Sequence, residues 1–161
     1  MNILILNWRD IKNPLSGGAE ILTHELSKRL VKKGHIVTQF SSSFIGSKSE
    51  EVIDGVRIIR EGNPDARALL NSVQYKAYKR YNKDFKGKVD LVIDEVHGVP
   101  FFSVFYVKEK KAALICEIAG ELWDIAVAFP FNLLGKSLEK IYPRFYKNIP
   151  ILTISESSKK E

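Results

Sequence analysis

The chain has 161 residues, 45% of them hydrophobic and 27% charged, with a formal net charge of +6 and a pI near 9.3. That length fits one domain, 1–161, and the apolar content excludes a disordered polyelectrolyte. No apolar run approaches the ~20 residues of a membrane-crossing helix, and a single cysteine, Cys116, excludes an internal disulfide and suits a reducing, cytoplasmic compartment. In chain order, the apolar run 3–6, stopped by Asn7-Trp8-Arg9-Asp10, reads as a buried strand. A loop then carries Ser16-Gly17-Gly18-Ala19-Glu20. After it, Leu22, Leu26 and Leu30 recur every four residues as one face of a helix, which Gly34 stops.

Glycines at a strand-to-helix joint let a ligand approach the backbone. The helix start offers unpaired N–H groups and roughly half a positive charge. This corner predicts an anion site, most naturally for a phosphate. The alternative is a plain tight turn, since neither G-x-G-x-x-G nor a Gly-Lys-Ser/Thr sequence is present. Glu20, in the first turn, would compete with a bound anion.

The second strand is predicted at 36–40 and a polar loop at 41–49. Residues 51–60 form two short β runs around Asp54-Gly55, a hairpin signal. From 66 to 85, Ala66, Leu69, Leu70, Val73, Ala77, Tyr81 and Phe85 mark one helical stripe, with Lys76, Lys79, Arg80, Lys83 and Lys86 on the other face. A strand at 91–93 ends in Asp94-Glu95-Val96-His97-Gly98. Pro100 is placed to open a short buried helix within 99–107, and another strand follows at 112–118. The helix 132–147 gathers Leu134, Leu138, Ile141 and Phe145 on one face and bends at Pro143. A strand at 149–154 leads into a helix start at 155–161, where Ser158 and Glu161 match a capping box. This last feature predicts that the chain is the front part of a longer protein.

Alternating strands and helices imply a Rossmann-like, doubly wound α/β fold, with a mostly parallel sheet and helices on both faces. Ligands of such sheets bind beyond the carboxyl ends of the strands, which here means residues 7–18, 94–98 and 119–124. His97 can orient or deprotonate a hydroxyl at neutral pH. Its alternative is a hydrogen-bonded loop histidine, and His24 and His35 read as structural. Glu95, Glu121 and Asp124 are carboxylates at strand ends, fit for a general base or for capping. The segment 122–131 is rich in large apolar residues beside Lys136, Lys140, Arg144 and Lys147. It suits a lipid-linked acceptor or peripheral docking at an anionic inner membrane face, or else simple packing under the sheet or against a missing second domain. No residue spacing suggests a metal site.

The opening Met-Asn-Ile-Leu-Ile-Leu with Gly17-Gly18-Ala19-Glu20, then Leu26 to Leu30 and Gly34 to Thr38, resembles the N-terminal domain of glycosyltransferase family 4. So do the 54–60 hairpin and the closing Leu152-Thr153-Ile154-Ser155-Glu156-Ser157-Ser158, and the resemblance runs over the whole chain in order. It implies the acceptor-side, N-terminal half of a GT-B enzyme that transfers a sugar from a nucleotide-sugar to a glycan or lipid-linked acceptor, with retention and with no metal or resident cofactor. It further implies that Gly17 and Gly18 lie at the donor phosphate and that His97 reaches a sugar or acceptor hydroxyl. Glu121 stands where many members carry a His-Asp pair, the local sequence here being Ala119-Gly120-Glu121. Ser16, Glu95, Trp123 and Asp124 fall around the acceptor. The family holds its donor mainly through a C-terminal domain, so the chain alone is expected to be inactive. The competing readings are half of a nucleotide- or dinucleotide-binding oxidoreductase, against which the second strand ends without an acid, and a non-catalytic module whose basic helix 66–85 holds membrane or nucleic acid.

Overall fold

The computed structural model describes residues 1–116, 120–126 and 128–154, with Leu122 and Ala126 described by their backbone alone. Strand β1 (Asn2–Leu6) is buried from Ile3 onward, as an unalternating apolar run in the middle of a parallel sheet should be. It leads through a loop to α1 (Gly18–Lys32), then to β2 (Ile36–Ser41) and the hairpin of β3 (Glu50–Ile53) and β4 (Val56–Arg60). After α2 (Val73–Arg80) come β5 (Leu91–Val96), β6 (Lys110–Ile115), the short helices α3 (Leu122–Ala126), α4 (Phe131–Ile141) and α5 (Pro143–Tyr146), and β7 (Ile151–Thr153). The seven strands lie in the order β3-β4-β2-β1-β5-β6-β7, and only β3 runs antiparallel. This is the Rossmann-like α/β sheet expected from the alternation of elements.

Parallel pairing on both sides of β1, with Ile5 opposite Gln39 and Ile93, makes the gap above β1 and β5 the switch point of the sheet. Alternation along the strands assigns the layers. Leu4, Leu6 and Val92 pack with Val73, Ala77, Tyr81 and Phe85 of the α2 segment. On the same face, Val96 and Ala113 meet Tyr142 and Tyr146. Ile3, Ile5, Ile93 and Leu114 form the opposite layer beside Ala19, Leu30 and Val31 of α1.

Several elements depart from expectation for local reasons. The stripe at 66–85 is not one helix. Asn63 pairs with Asn71 and Val73 through backbone hydrogen bonds of 2.7 and 2.8 Å, which folds the chain back and restarts the helix at Ser72. The Ser72 hydroxyl accepts the Tyr75 N–H. Before that break lies a 3₁₀ turn (Ala66–Asn71) with Leu69 at φ +47°, and Leu69 and Leu70 are exposed. Residues 99–107 hold only a 3₁₀ turn (Ser103–Phe105), because the Asp94 carboxylate accepts the N–H groups of Phe101 and Ser103 at 3.2 and 3.0 Å. Phe102, at φ +55°, breaks any continuous helix there. Strand β6 begins at Lys110, opposite Leu91, two residues before its expected start. Residues 117–119 and the capping box at 155–161 lie outside the described residues. The break at Pro143 and the Asp54-Gly55 turn, with φ of +50° and +82°, match expectation.

Helix α1 buries its predicted leucine stripe only in part, Leu30 packing with the core and Leu26 half-buried. Glu20, Thr23, His24 and Ser27 are buried, whereas Leu22 is exposed. Thr23 donates to Glu95, His24 pairs through Nε2 with Asp54 at the hairpin turn, and Ser27 donates to the Thr23 carbonyl.

The loop after β1 is fixed from below. Arg60 of β4 reaches Asp10 with two parallel bonds, Nε–Oδ2 at 2.6 Å and Nη2–Oδ1 at 2.7 Å, and both side chains are fully buried. Glu51 and the Lys48 carbonyl take Nη1. Gln39 donates to the Arg9 carbonyl and Ser42 to that of Trp8. Because losing Asp10 leaves two nitrogens of the buried guanidinium without partners and only Nη1 held, by Glu51 and the Lys48 carbonyl, Asp10→Ala should lower the unfolding free energy by about 3–5 kcal/mol in urea titration. A loss of no more than ~0.5 kcal/mol, the usual effect of an ordinary surface change, would show that the loop does not need the pair.

Candidate functional site

Above β1 and β5 lies an open cleft of about 510 Å³, within the range of small-molecule sites. One wall is the loop after β1 and the first turn of α1, contributing Arg9, Leu15, Gly17, Gly18, Ala19, Glu20 and Leu22; His97, Cys116 and Ile154 complete the lining. The structure therefore brings Gly17, Gly18 and His97 to one cleft. The His97 ring stacks on Trp8, with centroids 4.9 Å apart. Arg9 lies over the same indole at 4.0 Å and donates to the Leu15 carbonyl at 2.8 Å. Burial pushes the Arg9 guanidinium down from its usual value, with the Glu20 charge acting the other way; it stays protonated and is the cation of the cleft wall.

The helix start is more occupied than a bare Gly-Gly corner suggests. The Gly17 N–H donates to Glu20 Oε2 at 2.6 Å, while Trp8 Nε1 donates to Oε1 at 3.1 Å. An internal carboxylate thus sits where the anion was expected to meet Gly17. The Gly18 and Ala19 N–H groups, at the first positions of the helix, are the ones left for a ligand.

Other expected site residues lie elsewhere. Ser16 turns its hydroxyl back to the Ile11 carbonyl at 3.4 Å. Glu95 was expected at the acceptor, but it is 2% exposed and points beneath α1, where Thr23 donates to its Oε2 at 2.6 Å. In a strand, neighbouring residues face opposite layers, so Asp94 turns the other way and also accepts the Tyr146 hydroxyl at 2.6 Å. Glu121 is exposed on the segment after β6. Trp123 is a packing residue: an added Cβ at Gly135 would come within 2.4 Å of its indole, and one at Gly98 within 3.3 Å. Its Nε1 donates to Glu139 at 3.2 Å, as does the Gly120 N–H at 2.8 Å. Asp124 braces α3 to α4 through Asn132 at 2.9 Å and Lys136 at 2.5 Å, and the Lys136 ammonium is the main reason its carboxyl lies below the usual range. Sequence reasoning passed over Arg9, Asp94 and Glu139. Only Arg9 left a readable signal, a cation directly after the first strand.

No family model matches the chain, and no curated protein does. Among solved structures it is similar to the sucrose-phosphate synthase of Thermosynechococcus elongatus, a GT-B glycosyltransferase, with a TM-score of 0.58 and 15% identity. The match covers 95% of this chain and 47% of that one. The fold is Rossmann-like, as in a GT-B enzyme. The chain spans about half the length of that synthase.

Burial is the largest influence on Glu95 and raises its pKa from 4.5 to about 8; the Thr23 hydroxyl opposes the shift and the Glu20 charge adds to it. The folded state therefore keeps a proton that the unfolded chain releases above its ordinary value. On this group's account, stability falls as pH rises from about 4.5 to about 8 and is level beyond. Glu95→Gln should remove that decline and be the more stable protein at the alkaline end, read from urea unfolding at a series of pH values. Equal slopes for the two proteins would contradict the buried, protonated carboxyl.

Proposed function

We propose that the chain is the acceptor-side half of a glycosyltransferase that moves a sugar from a nucleotide-sugar to a glycan or lipid-linked acceptor, with retention, and that works with a second, donor-holding domain. The observation that carries this reading is the placing of the α1 start and His97 in one cleft at the switch point, on a fold similar to half of a GT-B synthase. The resemblance of Gly17-Gly18-Ala19-Glu20 and the 54–60 hairpin to family 4 supports it independently.

In this reading the bond from the anomeric carbon to the leaving phosphate oxygen breaks, and negative charge gathers on the departing diphosphate. The Gly18 and Ala19 N–H groups and the Arg9 guanidinium face that charge, where fixed donors act most strongly. His97, its ring plane set by Trp8, orients the hydroxyl of sugar or acceptor. Glu20 is a positioning residue that fixes the Gly17 turn. Glu121 and Asp124 act outside this cleft, as surface groups of the α3 region.

A dinucleotide reading has less support, because the Gly17 N–H is already taken by Glu20 and β2 ends in serines. The basic-helix module also loses ground, since Arg80 is neutralised by Glu50, Glu61 and Asp84.

Saccharide acceptors should bind the chain in ligand-observed NMR, His97→Ala should weaken that binding, and NADH should not bind. Sugar transfer should appear only when the donor-holding half is joined, and there His97→Ala should lower kcat roughly 10²–10⁴-fold. Binding of NADH without saccharides, or transfer by the chain alone at the joined rate, would overturn the reading.

A further inference from the structure

Helix α4 carries its most apolar stripe to the outside. Gly135 and Glu139 are buried beneath Trp123 of α3, and Tyr142 and Tyr146 of the following turn are buried against Val96 and Ala113 of the sheet. The stripe of Leu134, Ile141 and Phe145 is offset from these by one residue, about 100° around the helix, and is 62%, 46% and 43% exposed. The preceding segment adds Ile125 at 84% and Phe129 at 77%.

Around α4 and α5 the exposed charges are basic, while on the α3 side Glu121 is exposed and the exposed Asp124 is neutralised by Lys136. Lys140, Arg144 and Lys147 are exposed, and none of the three forms an ion pair among the described residues. The acid of α4, Glu139, is buried under Trp123 and the Gly120 N–H. Protein partners favour surfaces depleted in lysine at the core. Large apolar groups flanked by long cationic side chains suit instead the boundary between lipid headgroups and acyl chains.

We propose that this face of α3–α5 docks the protein peripherally on an anionic lipid bilayer. Ile125, Phe129 and Leu134 enter the headgroup boundary, and Lys140, Arg144 and Lys147 meet the lipid phosphates. No helix among the described residues is long and apolar enough to cross a membrane, so the contact is one of surface insertion. The proposal goes beyond sugar transfer and stands or fails without it.

Co-sedimentation with vesicles tests it, using phosphatidylcholine alone and phosphatidylcholine mixed with phosphatidylglycerol. The protein should bind the mixed vesicles, bind the neutral ones far less, and lose binding as salt rises. Lys140→Gln with Arg144→Gln should weaken partition roughly fivefold per charge removed, with an unchanged melting curve because both side chains are exposed. Phe129→Ser with Leu134→Ser should weaken it on the order of tenfold or more. Equal binding to both vesicle kinds, or no binding to either, would overturn the proposal. So would a dimer of the free protein that the Phe129→Ser, Leu134→Ser variant dissolves, since the face would then belong to a second copy.

Discussion

The guanidinium of Arg60 has no exposed surface, and the backbone of the loop after β1 is built around that fact. A buried charge is tolerable only if its donors are matched; Glu51 of the hairpin takes one nitrogen, and the two-pronged partner, Asp10, sits in the loop after β1. The pair ties β4 to the segment that begins the cleft wall. Trp8 and Arg9 are then presented by a backbone held at both ends, by Asp10 below and by Glu20 at the helix start. Since His97 stacks on Trp8, the order imposed by one ion pair reaches across the switch point to the opposite wall.

The same device recurs along the carboxyl edge of the sheet. Asp94 accepts two backbone N–H groups of the loop after β5, Glu20 caps Gly17, and Glu139 gathers Gly120 and the Trp123 indole. A carboxylate that accepts N–H bonds replaces the water it lost and fixes an irregular segment that has no ladder of its own. Asp10, Glu20, Asp94, Glu95 and Glu139, five of the nineteen acidic residues, are buried, so each must find its partners inside the fold.

The sheet was legible because its signals are local. An apolar run bounded by polar residues gives β1, and Asp54-Gly55 supplies the positive φ that a tight hairpin needs. The joint at Gly17-Gly18 was equally visible as a strand-to-helix corner, and the position of His97 followed from the chain order of the strands. Carboxylates were misplaced because a strand residue and its neighbour face opposite layers, and the sequence does not say which layer leaves room for a ligand. Glu95 looked like a cleft residue and lies under α1; Trp123 looked like an acceptor contact and fills the space left by two glycines. The helix at 66–85 failed for another reason. Its apolar period is continuous, yet Asn63 competes for the backbone groups of Asn71 and Val73, and pairing across a loop overrides a helical stripe.

Helix faces carry the deeper lesson. Sequence periodicity finds the apolar stripe of a helix, and the natural inference is that this stripe meets the sheet. In α1 the buried face carries Thr23 and Ser27 beside Leu30 and Val31, and in α4 it carries Gly135 and Glu139, which lie beneath Trp123 of α3. Small side chains allow close approach, and each polar one among them has a partner that only the folded chain supplies. The leucines displaced by this arrangement do not vanish from the energetics. Leu22 joins the mouth of the cleft and Leu134 joins the cationic outer face of α4. Covering exposed apolar surface is favourable, so an apolar stripe turned away from the core leaves free energy to be gained at the surface.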